Sequence, residues 1–305
     1  MKLGILTAAF PSLSLDEVSS WASQSGFSAI EIACWPAGGK VERRYAGTAH
    51  IDVRGLTPSD ASRIADDLAA KGLTISSLAF YPNPLDPDPA VSAAAFEHLR
   101  HVITAAELLK VPVIGTFVGR DKTRSIDDNF DRFAKVWPDL VHFAGDHNVK
   151  IAIENCPMIF SGDEWPGGNN LAYSPANWRR MFDIIPDENF GLNFDPSHLV
   201  WQFIDIPRAI REFGPRIFHT HAKDLEVRRD GLYEQGVMSA GVGWQVPRLC
   251  GLGEVDWNAF FGALYATGYD DVVSIEHEDR AFEGSVEKVR RGFEIARDNL
   301  KPFVH

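Results

Sequence analysis

Ile217-Phe218-His219-Thr220-His221-Ala222-Lys223-Asp224 opens as a short apolar run and ends in two histidines, a lysine and an aspartate. Side chains alternate along a strand, so His219 and His221 leave it on the same face. If that face is the inside of a closed sheet, both histidines stand near its mouth. Three further apolar runs end in carboxylates, at Glu154, Asp195 and Glu276.

Working outward from this stretch, the chain repeats one pattern. Lys2 to Thr7 reads as a strand, and Ser14-Leu15-Asp16-Glu17 supplies a capping box for a helix that stops at Gly26. Further strands are expected at Ala29–Cys34, Leu73–Phe80, Val113–Val118, Val149–Glu154, Phe190–Asp195, Arg216–His221 and Asp271–Glu276. Helices are expected between them: from Thr57-Pro58 to Lys71-Gly72, over about 89–110, over about 126–147 with a kink near Pro138, from Ser174-Pro175, over about 207–213, from Asp256, and over about 285–300.

Eight strands alternating with eight helices imply a parallel sheet, and eight such units close into a (β/α)8 TIM barrel, here one α/β domain spanning 1–305. A doubly wound open sheet is the alternative. The connections favour the barrel: helix-to-strand turns are tight, whereas the three longest segments, 34–56, 155–173 and 222–255, all follow strands. In a barrel such loops build the active-site face.

Composition agrees. With 45% hydrophobic and 24% charged residues among 305, the chain has the makeup of an ordinary globular protein with a sizeable core. A net charge of −12 argues against nucleic acid and anionic membrane as partners, because both demand a cationic surface. Cys34, Cys156 and Cys250 are odd in number and form no CxxC, which points to reduced thiols rather than to a disulfide framework. No apolar run approaches the roughly 20 residues of a membrane span. A cytoplasmic protein is expected, and the composition is compatible with a monomer or a homo-oligomer.

The same alternation places Ile151 and Ile153 towards the outer helices and Glu154 inward, and it repeats for Asp195, for the histidines and for Glu276. Unpaired charges buried together would each cost several kcal/mol, so a shared cation is the economical explanation. Two glutamates, one aspartate and one histidine form an oxygen-rich set suited to Mn(II), Mg(II) or Co(II). Taken singly, each carboxylate could be a strand-end hydrogen-bond acceptor, and one histidine could ligate while the other orients or packs. His198, in Asp195-Pro196-Ser197-His198, reads as a substrate hydrogen-bond partner or as the start of the next helix.

Five segments together resemble the xylose isomerase-like barrel superfamily, in its sugar epimerase and isomerase branch. They are Ile153-Glu154-Asn155, Asn193-Phe194-Asp195-Pro196-Ser197-His198, His219-Thr220-His221-Ala222-Lys223-Asp224, Gly251-Leu252-Gly253-Glu254-Val255-Asp256-Trp257 and Ser274-Ile275-Glu276-His277-Glu278. The resemblance spans essentially the whole chain. It implies that Glu154, Asp195, His221 and Glu276 ligate one divalent metal, Mn(II) first, with Mg(II), Co(II) or Zn(II) as alternatives. It also implies that Glu154 and Glu276 double as acid and base, and that His198 and Arg248 contact substrate oxygens.

The implied substrate is a small carbohydrate, a keto sugar or related polyol. A metal chelated by a carbonyl and its neighbouring hydroxyl stabilises the enediolate, and a glutamate on each face removes or returns the proton. That gives epimerisation, or isomerisation if the proton returns one carbon along. The same enediolate can expel a leaving group, so a lyase is the alternative, either an inosose-type dehydratase or a β-eliminating deglycosidase of 3-keto glycosides. An AP endonuclease is disfavoured, because those relatives carry extra histidines on early strands where this chain has Phe80-Tyr81 and Phe117. A carbohydrate-binding barrel without chemistry is disfavoured by the retention of both glutamates.

Phe80-Tyr81 and Phe117 are expected as an apolar wall for a sugar ring, with core packing as their plain reading, and Trp35 as a stacking surface for a sugar face, with loop anchoring as its plain reading. Trp165, Trp244 and Trp257 also lie in or near the long segments, and Trp257 reads as a loop anchor. His219 and Lys223 are expected near the substrate. Lys223 either polarises a substrate oxygen or pairs with Asp224, and Gly251-Leu252-Gly253 reads as a flexible hinge beside Arg248.

Overall fold

Eight parallel strands close on themselves: β1 (Lys2–Leu6), β2 (Ala29–Ala33), β3 (Thr74–Ala79), β4 (Val113–Thr116), β5 (Lys150–Glu154), β6 (Phe190–Phe194), β7 (Ile217–Ala222) and, after a two-stranded excursion, β10 (Val272–Ile275), which pairs with both β7 and β1. This computed structural model describes residues 1–38, 46–159, 168–239 and 243–304. The architecture is the (β/α)8 TIM barrel in one domain, as the alternation of elements predicts.

The helices start where the capping chemistry places them. Ser14 and Glu17 form the capping box of Leu15–Gln24, and Thr57, Asp205, Asp256 and Ser285 each accept from a first-turn amide of their own helices. Ser174 precedes Pro175 but makes no side-chain cap. The expected kink at Pro138 is a full break, giving separate helices Ile126–Val136 and Pro138–Asp146, since proline lacks the amide that would continue the ladder.

Two departures shape the site. The segment 222–255 was expected as a long loop, yet it contains an antiparallel pair, β8 (Asp224–Val227) with β9 (Gln245–Arg248), plus a short helix Arg229–Gln235. Trp201, Leu225, Val227 and Trp244 form a small hydrophobic cluster that anchors this hairpin, separate from the main core. In addition, β3 carries one extra residue at its pairing with β2, where Ile30 faces Ile75 but Glu31 faces Ser77. Such an insertion breaks the strict alternation of side chains.

Barrel stagger explains how distant residues meet. One ladder rung joins Glu154, Asn193 and His219, and another joins His221 to Ser274. Strands in a barrel are tilted, so a rung runs obliquely to the axis. Residues level along the axis therefore lie progressively further along successive strands: Glu154, Asp195, His221, Glu276. His219, on the rung of Glu154, falls one layer deeper.

Candidate metal centre and active site

A cavity of about 530 Å³ opens at the C-terminal ends of the strands, with Glu154, His198, Lys223 and Glu276 in its lining. Asp195 and His221 sit beneath, fully buried. The expected residues therefore gather at one end of the barrel, though with unequal roles in the geometry.

Glu154, His221 and Glu276 each present a ligand-type atom within 4.8 Å of the other two. His221 Nδ1 lies 3.5 Å from Glu276 Oε2 and 3.9 Å from Glu154 Oε1. Asp195 is outside that trio; its Oδ2 lies 3.0 Å from Lys223 Nζ and 3.2 Å from His198 Nε2. Glu154 Oε1 and His221 Nδ1 are buried without a hydrogen-bond partner among the described residues, whereas Asp195 Oδ2 is ion-paired to Lys223. Buried polar atoms are normally satisfied, so two such atoms, with Glu276 beside them at the mouth of one barrel, fit a cation. The donors are carboxylate oxygens and an imidazole nitrogen, a combination that divalent ions accept.

Lys223 does not pair with Asp224. Its ammonium is nearly fully buried, 2.6 Å from Glu276 Oε2, 3.0 Å from Asp195 Oδ2 and 3.2 Å from Glu278 Oε2. Burial opposes its charge, but these carboxylates outweigh burial and hold its pKa well above the lysine range. Burial likewise pushes the Glu154 carboxyl up, yet His198 and His221 bring it below its ordinary value, so it stays ionised. For Asp195 burial is again overcome, chiefly by Lys223 and His198, and the carboxyl is held low.

Asp224 has a different task. Its Oδ1 accepts from the amides of Leu225 and Val255, and its Oδ2 from the Gly251 amide and Trp257 Nε1, at 2.8 to 3.0 Å. The Gly251-Leu252-Gly253 segment is thus pinned to the β7 to β8 junction and is not a free hinge. Trp257 is the anchor it was expected to be. Arg248, on β9, reaches the cavity wall with its Nε 3.4 Å from Asp279 Oδ2.

Beneath the mouth lies a network that the strand-end pattern does not reveal. Glu31, on β2, is fully buried; its Oε2 accepts from His221 Nε2 at 2.9 Å and its Oε1 from the Tyr81 hydroxyl at 2.8 Å. Burial raises the Glu31 carboxyl, but His221 and His219 dominate and hold it at about 2. Asn193 Nδ2 donates to Tyr81 Oη, and Asn193 Oδ1 accepts from His219 Nδ1, whose Nε2 in turn accepts from Ser76 Oγ. Both nitrogens of His219 are therefore engaged inside the barrel and it does not line the cavity. Burial depresses its pKa.

Trp35 lines the cavity as expected, but Phe80 does not. The Phe80 ring turns outward onto His98, with ring centroids 4.6 Å apart, and Tyr81 takes the inward place. The extra residue in β3 shifts the alternation along that strand by one position, which turns Tyr81 rather than Phe80 inward. Trp244 packs against Trp201 in the hairpin cluster rather than on the cavity, and Trp165 lies outside the described residues.

Among the described residues no helix is long and apolar enough to cross a membrane. Comparison with known proteins agrees with the geometry. The chain is 28% identical over 311 residues, covering 92% of its own length and 93% of the relative, to the uncharacterized protein YfiH of Bacillus subtilis (strain 168). It is 29% identical over 106 residues, 32% of this chain and 34% of the relative, to an inosose dehydratase of Clostridium perfringens. Among solved structures it superposes on D-psicose 3-epimerase with D-tagatose from Clostridium cellulolyticum H10, with a TM-score of 0.73 at 16% identity over 100% of both chains, a likeness of fold. The model of the xylose isomerase-like TIM barrel matches residues 20–299, and with a closed eight-stranded barrel beneath it the chain belongs to that family.

Proposed function

We propose that the chain is a divalent-metal-dependent epimerase or isomerase of a keto sugar or related polyol. The observation that carries this reading is the convergence of Glu154, Glu276 and His221 Nδ1, with orphaned buried atoms, in a cavity large enough for a sugar. Glu154, His221, Glu276 and Asp195 would hold the ion, Mn(II) by preference for this oxygen-rich set. When bound, such an ion polarises a carbonyl and its neighbouring hydroxyl and so acidifies the intervening C–H.

The chain's own groups then move the proton. Glu154, kept ionised beside His198 and His221, takes it at a carboxylate oxygen. Glu276, 2.6 Å from Lys223 Nζ, faces the same space and in its protonated form gives its proton from the other side, inverting the carbon, after which exchange with solvent deprotonates Glu154 and reprotonates Glu276. Return at the adjacent carbon interconverts aldose and ketose. His198 and Arg248 line the cavity and donate to substrate hydroxyls, and Trp35 offers a ring face.

Elimination after the same proton removal is the second reading, favoured by the segment shared with an inosose dehydratase and by the apolar flank of Met158, Trp201 and Leu225. The test is an activity screen of the Mn-loaded protein against keto sugars, inososes and 3-keto glycosides, with products identified by NMR. An epimer or aldose–ketose pair supports the first reading, an unsaturated product supports the second, and no turnover of any class rejects both.

A further inference from the structure

Glu154 stands where two donor sets overlap. One is the trio with His221 and Glu276. The other comprises Glu154, Cys156 and His198, whose ligand-type atoms also lie within 4.8 Å of one another. Glu154 Oε1 is 3.5 Å from His198 Nε2, closer than the 3.9 Å to His221 Nδ1, and His198 Nε2 is itself 3.2 Å from Asp195 Oδ2.

The sulfur distinguishes the second set. Cys156 Sγ accepts the Met158 amide at 3.3 Å and lines the cavity. Cys34 and Cys250 are instead fully buried beside backbone carbonyls, and burial pushes both thiols up. The segment carrying Cys156 is held on two sides. Asn155 exchanges two hydrogen bonds with the Asp195 backbone, and Asn170 Nδ2 donates to the carbonyls of Glu154 and Cys156. Donors fixed in this way bind without first having to be ordered.

We propose that Glu154, Cys156 and His198 form a second, softer metal site that takes a thiophilic d10 ion, Zn(II) or Cd(II), and that filling it stops turnover. A sulfur, nitrogen and oxygen set selects such ions over Mn(II) or Mg(II). Binding forms a metal–sulfur bond as the Cys156 thiol releases its proton to solvent, and His198 binds through deprotonated Nε2. The bound ion then claims the Glu154 oxygen and His198. The inhibitory part rests on the function proposed above, whereas the binding part does not.

The test is a Cd(II) titration of the Mn-loaded protein, following the ultraviolet thiolate-to-metal charge-transfer band. A band saturating at one equivalent is expected. It should vanish in Cys156→Ser, and its apparent affinity should fall about tenfold or more in His198→Ala, the loss expected for a metal partner. Cys156→Ser should also escape Cd(II) inhibition, its rate with Cd(II) matching its own rate without it. No band in the wild type, or a band that persists in Cys156→Ser, overturns the site. A band lost in Cys156→Ser but with unchanged affinity in His198→Ala overturns the three-ligand arrangement. If Cys156→Ser fails to fold by circular dichroism, Cys156→Ala replaces it. Because the band needs no substrate, a failed activity screen leaves this test intact.

Discussion

Glu31 Oε2 and His221 Nε2 lie 2.9 Å apart across the barrel interior, both side chains fully buried. This contact, made from β2 to β7, determines which nitrogen of His221 is left for the mouth. With Nε2–H given to a carboxylate, Nδ1 is the nitrogen left with a lone pair for an ion, and it is the one nearest Glu154 and Glu276. A carboxylate on the far nitrogen fixes the ring and raises its basicity.

Glu31→Gln should therefore weaken metal binding by about 10- to 100-fold while leaving the barrel folded. Titration calorimetry with Mn(II) measures this, with circular dichroism as the control for folding. Unchanged affinity in a folded Glu31→Gln protein would show that the pair has no bearing on the metal.

Asp224→Asn tests the pinning of the loop after β9. An amide oxygen can replace one carboxylate oxygen, but its NH2 would face two N–H donors. A loss of about 2–4 kcal/mol is expected from the unpaired groups, read as a lower urea midpoint at constant slope. A loss below about 0.5 kcal/mol, the range of a surface substitution, would mean that the segment does not depend on Asp224.

Much of this was legible in the sequence, for a physical reason. The irregularity in β7 falls at Phe218, before His219 and His221, so the strand ends at Glu154, Asp195, His221 and Glu276 keep the inward phase that points to the barrel and the candidate site. The same alternation set Glu31 opposite Ile30 and Ile32, and a charge on an inward face was the available signal, but Glu31 stands mid-strand rather than at a strand end. Which of Phe80 and Tyr81 faces the cavity was not legible, because an extra residue in a strand leaves no mark in hydrophobic patterning. Gln245-Val246-Pro247-Arg248 hid as a strand because it is short, half-buried throughout and contains proline.

His98 gives the pH dependence a sign. Its ring is buried on Phe80, with Nε2 2.7 Å from the Cys34 carbonyl, and burial lowers its pKa below the ordinary 6.5. The unfolded chain therefore takes up this proton first as pH falls. The stability it contributes is full above about pH 6.5 and is lost as pH drops towards the folded-state value. Between about pH 7.5 and about pH 5.5 the Tm of His98→Gln should fall less than that of the wild type. An equal or larger fall in the variant would contradict the assignment. Because His198 and His221 are shifted upward, the difference between the two proteins, rather than the wild-type curve alone, carries the information.

Proton transfer by Glu154 and Glu276 is the central claim, and exchange of substrate C–H with solvent deuterium measures it most directly. Metal-loaded wild-type protein in D2O should incorporate deuterium at the carbon beside the carbonyl of a turned-over keto sugar. Glu154→Gln and Glu276→Gln should each lose this exchange by about 10²- to 10⁴-fold, the usual worth of a positioned acid or base. Exchange persisting at the wild-type rate in both variants would contradict the account.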